Sequence, residues 1–128
     1  MSSLGEMEVF AKTVYMEARG EIPEGRLWVA WVIKNRAADG RFGGRTIKEV
    51  CLHKDQFECW NNCTDTTISE PDIYRDIWNM CERVYNSSLS QDPTGGCVYY
   101  NNPDKENPDW AHRVRKIRKI GNHQFYKE

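Results

Sequence analysis

The sequence predicts a mainly α-helical domain with at most a small β element. Apolar residues recur at helical spacing over residues 5–18 and again over residues 69–88. Between these segments, residues 27–33 form a run that is apolar on every face of a helix. At 128 residues and 15.0 kDa, the chain has the size of one domain. We therefore expect residues 1–128 to form a single domain.

The first predicted helix ends beside a glycine. Its apolar stripe consists of Met7, Phe10, Ala11, Val14, Tyr15 and Ala18. At about 100° per residue, Glu17 falls at the edge of this stripe, and Gly20 and Pro23 then end the helix. A carboxyl group at this edge would be held rigidly and partly shielded from water.

The second helix is predicted over residues 24–38. Periodicity alone leaves a short buried strand open for residues 27–33, but the length of the segment and its polar end at Asn35 and Arg36 favour a helix. Thr46 then starts a capping box for a short helix that runs to about His53. A polar and aromatic loop is predicted over residues 54–68, on the surface or lining a cleft.

The longest helix is predicted to follow this loop. Ser69 is expected to cap it, with Pro71 in its first turn and its end near Ser88. Its apolar stripe consists of Ile73, Ile77, Met80, Cys81, Val84 and Tyr85. Residues 92–96 form a turn, and residues 97–103 are expected to start as a short strand.

Composition excludes several classes of protein. The chain has 18 basic and 19 acidic residues, which gives no support to wholesale binding of nucleic acid or membrane surfaces. A mean hydropathy of −0.78 and the lack of a long apolar run argue against a membrane span. The first six residues carry neither the basic nor the apolar region of a secretory signal. We therefore expect synthesis in the cytoplasm and no insertion into a membrane.

The five cysteines are expected to be reduced thiols, because their count is odd and no export signal is visible. Two alternatives remain open, a structural disulfide and a zinc site. The residues with the right types for zinc are Cys51, His53, Cys59 and Cys63, but they lack a Cys-x-x-Cys pair. We expect no metal and no cofactor.

Five motifs occur along the chain and together cover nearly all of it. They are Tyr15 to Glu21; Gly25 with Val29, Ala30, Val32, Asn35 and Arg36; Gln56-Phe57 with Cys59-Trp60-Asn61; Asp92 to Gly96 leading into Tyr99-Tyr100-Asn101; and Ile120 to His123 with Phe125-Tyr126. In these motifs and in their order, the chain resembles the SleB-type cell-wall hydrolases. That group includes spore cortex-lytic enzymes and related phage and bacterial muralytic domains.

The resemblance implies a fold, an activity and a catalytic residue. The fold would be lysozyme-like, two-lobed and α-helical, with a groove for peptidoglycan. The activity would be cleavage of the β-1,4 bond between N-acetylmuramic acid and N-acetylglucosamine, as a lytic transglycosylase. Glu17 matches the family's general acid, and Glu21 matches a second glutamate that we expect to be structural, paired with Arg19 or Arg36.

The chemistry implied for Glu17 needs only one carboxyl group. Once it has protonated the leaving oxygen, it can accept the proton of the sugar's own 6-hydroxyl group, which then closes an anhydro ring. Burial near Phe57 or Tyr99 would raise the pKa of Glu17, the direction that an acid catalyst needs. A hydrolytic muramidase stays open, because other acids could position a water: Asp55, Glu58, Asp65 and Asp104.

Amide, phenol and aromatic groups near this acid are the expected substrate contacts, since they bind N-acetyl and hydroxyl groups and stack on sugar rings. The first choices are Gln56, Phe57, Tyr99, Tyr100 and Asn101, and the second choices are Trp60 and His123. The expected partner is the peptidoglycan glycan strand, and we expect the chain to be a monomer. Without a visible export signal, a phage endolysin or virion-associated lysin is the expected setting, acting on the wall after release or from a phage particle.

One basic segment permits a different class of function. Residues 113–119 contain the five cations Arg113, Arg115, Lys116, Arg118 and Lys119. We interpret the segment as the solvated face of a C-terminal helix and expect no nucleic-acid partner. The alternatives are a small nucleic-acid or wall-binding module, or a surface that attracts the anionic envelope to an enzyme.

Overall fold

A computed structural model of the chain describes residues 5–54, 56–57, 60 and 68–128. Within these ranges the chain forms four α-helices and one three-stranded antiparallel sheet. The helices are α1 (Glu6–Ala18), α2 (Pro23–Asp39), α3 (Ile47–Leu52) and α4 (Pro71–Asn86), and the strands are β1 (Tyr99–Asn101), β2 (Arg115–Ile120) and β3 (His123–Lys127). The predicted mainly α fold with a small β element is confirmed.

The predicted central helix is confirmed in α2. Residues 28–33 are buried without interruption, so the helix is covered on every face. It packs against α1, α3, α4 and β1, which places it at the centre of the core. Its end is set by Gly40, whose φ of 85° is left-handed and whose N–H bonds to the Arg36 carbonyl.

The helices α3 and α4 follow the predictions with two corrections, both in α4. The capping box of Thr46 and Glu49 at the start of α3 is confirmed. The prediction that Ser69 caps α4 is wrong, because Glu70 occupies the N-cap position and the Ser69 hydroxyl lies 3.3 Å from the hydroxyl of Tyr15. At 16 residues, α4 is also one residue shorter than α2, so it is not the longest helix.

The basic segment is a strand and not the face of a helix. Its residues Arg115–Ile120 form β2, which pairs antiparallel with β3 across a tight turn at Gly121 and Asn122. Ile120 and His123 face each other across that turn, and the φ of Gly121 is +57°. The expected C-terminal helix is therefore wrong, because pairing with β3 rather than a local apolar stripe decides this structure.

The strand order β1-β3-β2 gives the sheet two faces with different neighbours. Residues opposite each other in adjacent strands share a face, and successive residues alternate. The helix-side face, formed by Tyr100, His123 and Phe125, packs towards α2, where Phe125 meets the ring of Trp28. The outer face consists of Tyr99, Asn101, Gln124 and Tyr126.

None of the helices described is long and apolar enough to cross a membrane. Most of the predicted loop over residues 54–68 lies outside the described residues, and so do Asp55, Glu58, Cys59, Asn61, Cys63 and Asp65. The zinc alternative therefore stays untested. Cys81 and Cys97 are buried free thiols.

Candidate active site

Glu17 lies on the last turn of α1, one residue before the helix ends at Ala18. Tyr15 and Ala18 are buried and Arg19 is exposed, so Glu17 occupies the predicted edge of the apolar stripe and is half-buried. Its Oε1 accepts a hydrogen bond of 2.5 Å from the hydroxyl of Tyr100. The carboxyl group is thus fixed between the core and solvent by a residue far away in the sequence.

Tyr100 reaches Glu17 from the helix-side face of β1. Its ring lies against His123, at 4.9 Å between centroids, and against Phe125, at 5.8 Å. Burial raises the pKa of Tyr100 well above its ordinary value, and the charge and hydrogen bond of Glu17 raise it further. The phenol therefore keeps its proton at neutral pH and acts as a donor to Glu17.

Arg36 brings a positive charge to the same place. Its Nε donates to the Val98 carbonyl at 2.7 Å, just before β1, and its Nη1 donates to Oε1 of Gln56 at 3.1 Å. Burial lowers the pKa of Arg36, while the charges of Tyr100, Tyr99 and Glu17 oppose that shift. Guanidinium groups keep their charge at neutral pH even so, which makes Arg36 a nearby counter-charge for the Glu17 carboxylate.

The role of Arg36 is not evident from residue type or periodicity. The sequence carries two signals: a polar Asn35-Arg36 pair follows the apolar run of residues 27–33, and both residues belong to the second family motif. Asn35 explains why the pair occurs there. It is buried, and its Nδ2 donates to Asp92 at 2.9 Å and to the Cys97 carbonyl at 3.0 Å, so α2 holds the segment that leads into β1.

The turn over residues 92–96 completes this support. One oxygen of Asp92 accepts from the backbone N–H of Thr94 at 2.7 Å, and the other accepts from that of Gly96 at 2.8 Å. Gly95 and Gly96 have φ values of 72° and 101°, which side chains rarely adopt. This turn therefore fixes the direction in which the chain enters β1. The direction of β1 in turn places the Tyr100 side chain next to Glu17.

Three predicted substrate contacts, Gln56, Phe57 and Trp60, lie within the partly described loop over residues 54–68. Gln56 is half-buried and is engaged by Arg36. Phe57 is only 2% exposed, and its ring centroid is 5.8 Å from the guanidinium carbon of Arg36. Trp60 donates from Nε1 to the hydroxyl of Thr13 in α1 at 2.8 Å. Of these three residues, Gln56 is the one whose polar group is hydrogen-bonded to Arg36, the counter-charge of Glu17.

Two other predicted contacts, Tyr99 and Asn101, lie on the outer face of the sheet. Tyr99 donates its hydroxyl to Glu128 at 2.8 Å and stacks on Trp110 at 5.1 Å. Asn101 is 5% exposed, and its Oδ1 accepts from the hydroxyl of Tyr126 at 2.8 Å. Strand alternation thus separates both residues from Tyr100 and Glu17.

His123 is brought next to Tyr100, on the helix-side face. Its Nδ1 is buried and has no hydrogen-bond partner in the part of the chain that the structure describes. Burial lowers the pKa of His123, against the charges of Glu21 and Glu106. The imidazole is therefore neutral at pH 7 and keeps unused hydrogen-bonding capacity beside Tyr100.

The second glutamate of the motif serves the turn between β2 and β3. Glu21 accepts from the backbone N–H of Asn122 at 3.1 Å and from its side-chain amide at 3.0 Å. The expected pairing with Arg19 or Arg36 is wrong, because Arg19 pairs with Glu70 and Arg36 points to Val98 and Gln56. The residue before Asn122 is Gly121, which has no Cβ. A Cβ at this position would lie 2.6 Å from Oε1 of Glu21, so the glycine leaves room for the carboxylate.

The arrangement can hold one carboxyl group beside a neutral phenol, a guanidinium and a neutral imidazole. This set can exchange a proton at Glu17 and balance its charge when the proton leaves. Of the four acids that could position a water, Asp104 is exposed on a turn, and the other three lie outside the described residues.

Comparison with known proteins identifies the family. A sequence model described as Cell Wall Hydrolase matches residues 20–126, beginning three residues after Glu17. The spore cortex-lytic enzyme of Bacillus cereus is 31% identical over 126 residues, which cover 98% of this chain and 45% of that protein. The chain spans less than half the length of the curated relatives that it matches.

Two solved structures share the fold. The catalytic domain of the germination-specific lytic transglycosylase SleB from Bacillus anthracis matches with a TM-score of 0.77 and 28% identity, covering 98% of this chain and 97% of that domain. The catalytic domain of the Bacillus cereus SleB protein matches with a TM-score of 0.75 and 28% identity, covering 99% and 93%. The lysozyme-like fold and the SleB-type resemblance are therefore confirmed. This chain belongs to the cell wall hydrolase family.

Proposed function

We propose that this chain is a peptidoglycan-cleaving domain that acts as a lytic transglycosylase, with Glu17 as its general acid and then its base. The observation that carries the proposal is the 2.5 Å hydrogen bond from Tyr100 to Glu17, which fixes a half-buried carboxyl group at the end of α1. The two solved domains compared above come from SleB, and one is described as a lytic transglycosylase.

The proposed reaction needs only one carboxyl group. Protonated Glu17 gives its proton to the glycosidic oxygen as the bond from that oxygen to the anomeric carbon of the muramic acid breaks. The resulting carboxylate accepts the proton of the 6-hydroxyl group of the same sugar. That oxygen then bonds to the anomeric carbon, which closes the anhydro ring and leaves Glu17 protonated again.

Three neighbours support this cycle without taking part in bond making. The Tyr100 hydroxyl holds Glu17 in one orientation, so the same oxygen can face the leaving group and then the 6-hydroxyl. The Arg36 charge stabilises the carboxylate formed between the two proton transfers. His123 packs its neutral ring against Tyr100, at 4.9 Å between centroids, and so helps to hold the phenol in place.

Product analysis of a peptidoglycan digest tests the proposal. We expect fragments that end in an anhydro sugar and lack one water, whereas a hydrolytic muramidase would release reducing ends. Glu17→Gln should lower the rate by about 100- to 10,000-fold, the usual contribution of general acid–base catalysis.

Glu21→Gln is the matched control, because it changes a nearby glutamate whose hydrogen bonds, within the described ranges, go to Asn122, and it should leave cleavage close to normal. Near-normal cleavage by Glu17→Gln would contradict the proposal, and reducing-end products would replace the transglycosylase with a hydrolase. The setting in a phage lysin, the monomeric state and the location in the cell stay predictions.

A further inference from the structure

The strand β2 lies at one edge of the sheet and is rich in basic residues. It pairs with β3 on one side and has no other strand beside it among the described residues. All residues from Arg115 to Lys119 are exposed, and Ile120 is the first buried one. An exposed edge strand offers unpaired backbone groups together with its side chains to a ligand.

Most of the cations in and next to β2 have no acidic partner within the described residues. Residues 113–119 contain five cations and no acid. Arg118 is bonded to Glu24 at 3.1 Å and lies over the ring of Trp28. The side chains of the other four cations make no hydrogen bond or ion pair with the part of the chain that the structure describes; they are Arg113, Arg115, Lys116 and Lys119. We call these four residues the basic edge.

A bulge spreads the basic edge over both faces of the sheet. The register shifts between Lys116 and Arg118. Lys116 lies opposite Tyr126 and Lys119 opposite Gln124, which places both on the outer face. Arg115 lies opposite Lys127 and therefore shares the face of Phe125. Cations on both sides of one edge suit an anionic ligand that runs along the strand.

The strand β2 is held at a fixed distance from Tyr100. Tyr100, Phe125 and Arg118 form one row across the three strands, and neighbouring strands are about 4.8 Å apart. The backbone of β2 is thus about 10 Å from that of β1, whose Tyr100 binds Glu17. The turn after β2 is also tied to Glu21, four residues from Glu17.

We propose that the basic edge binds the carboxylates of peptidoglycan stem peptides. This inference rests on the proposed function, since it names the substituents carried by the glycan strand at Glu17. A stem peptide is attached to the muramic acid beside the bond to be cleaved, and it carries free carboxylates. The unpaired cations of the basic edge complement this charge, and β2 lies two strands from Tyr100. The chain would therefore favour glycan strands that retain their stems.

Binding to two forms of purified peptidoglycan tests the basic edge. Both forms are freed of phosphate-bearing polymers, and one is also treated with an amidase that removes the stem peptides. Affinity is measured on ice by calorimetric titration with soluble, uncrosslinked strands of both forms, so the result depends neither on cleavage nor on solubility. We expect about tenfold tighter binding to the form with stems, equal to three exposed ion pairs of about 0.5 kcal/mol each. The preference should shrink as salt is added.

Substitutions assign that preference to the strand. Replacing Arg115, Lys116 and Lys119 together by Gln should abolish it. A variant that exchanges Arg and Lys at the same three positions keeps the charge and should retain it. The matched control replaces three exposed cations elsewhere, Arg75, Arg83 and Lys105, by Gln and lowers the net charge equally.

Equal binding of the unmodified chain to both forms would overturn the inference, and so would an unchanged preference in the Gln triple variant. The same holds if the triple variant loses affinity for random-sequence DNA but not for stem-bearing peptidoglycan. A chain that shows the stem preference but does not cleave would contradict the proposed function alone. Thermal unfolding followed by circular dichroism verifies that each variant is folded.

Discussion

The two faces of the small sheet use neighbouring residues of one motif in different ways. On the helix-side face, the Tyr100 hydroxyl ends on the Glu17 carboxylate at 2.5 Å. On the outer face, the Tyr99 hydroxyl donates a hydrogen bond to Glu128, and Asn101 accepts one from Tyr126. A strand points successive side chains in opposite directions, so a motif of three consecutive residues cannot place all of them at one site.

The outer face explains why the motif contains aromatic and amide groups that do not reach Glu17. Tyr99 stacks on Trp110, and Trp110 meets the ring of Tyr126 edge-on at 5.2 Å. Phe42 also packs edge-on against Tyr99, at 5.7 Å between ring centroids. These contacts clamp β1 onto β3. One face therefore keeps the strand in place while the other presents Tyr100.

If the faces differ in this way, removing a single hydroxyl should lower the rate of cleavage on the helix-side face and hardly change it on the outer face. Tyr100→Phe removes a hydrogen bond to a charged group, which contributes about 1.5–3 kcal/mol. We expect kcat for peptidoglycan cleavage to fall by about 10- to 100-fold with little change in KM, because orientation of Glu17 is lost rather than binding. Initial rates on a soluble glycan fragment measure both constants.

Tyr99→Phe is the control for that experiment, because it removes the same atom from the adjacent residue on the outer face. It should change kcat by less than about twofold, since its hydroxyl meets exposed Glu128. A similar loss in both variants would mean that the two faces act as one unit, and no loss in Tyr100→Phe would detach Tyr100 from the reaction.

The helical half of the fold could be predicted because its signals are local. The bounds of α1 and α2 follow from apolar spacing and from Gly40, and the start of α3 follows from Thr46 and Glu49. The sheet is different, since its pairing joins residues distant in the chain. The basic segment has no apolar stripe, and only the Gly121-Asn122 pair between Ile120 and His123 carries a hairpin signal.

The site could be predicted only as far as residue type and family motif reach. Glu17 follows from its place at the edge of a helix stripe and from the motif. The separation of Tyr99 from Tyr100 requires the strand to be known, because the alternation has no meaning in a loop. The role of Arg36 requires its partners, the Val98 carbonyl and Gln56, which lie 62 and 20 residues away.

Arg36 tests whether the two faces are separable, since its charge acts on both Tyr99 and Tyr100. Arg36→Lys cannot reproduce both hydrogen bonds of the guanidinium or its contacts with the rings of Phe42 and Phe57. We expect a loss of about 2 kcal/mol in the free energy of unfolding, measured by urea denaturation.

The matched substitution is Arg41→Lys, which alters an exposed arginine paired with Asp39 and Glu128. Its denaturation midpoint should stay where it is in the unmodified chain, because exposed ion pairs contribute little. Equal midpoints for the two variants would show that Arg36 does not support the sheet.

The outer face should affect stability without affecting the reaction. Tyr126→Phe removes the hydroxyl that bonds to the buried Oδ1 of Asn101 and leaves that oxygen without this donor. We expect a loss of about 1–2 kcal/mol in the free energy of unfolding. At a temperature where both proteins are folded, kcat should be unchanged. A clear fall in kcat would place the outer face in the active site.

The smallest expected effect concerns the turn that joins β2 and β3. Burial raises the pKa of Glu21, but hydrogen bonds from the side chain and backbone of Asn122, together with the charge of His123, bring it below its ordinary value. A carboxyl group with a lowered pKa stabilises the fold above its unfolded pKa and loses this contribution as the pH falls through the folded pKa. Between about pH 5 and pH 3, the unmodified chain should therefore lose slightly more stability than Glu21→Gln does. The urea midpoints of both proteins, measured across this pH range, test the prediction. If the two midpoints change with pH in parallel, the Glu21 carboxylate does not stabilise the turn.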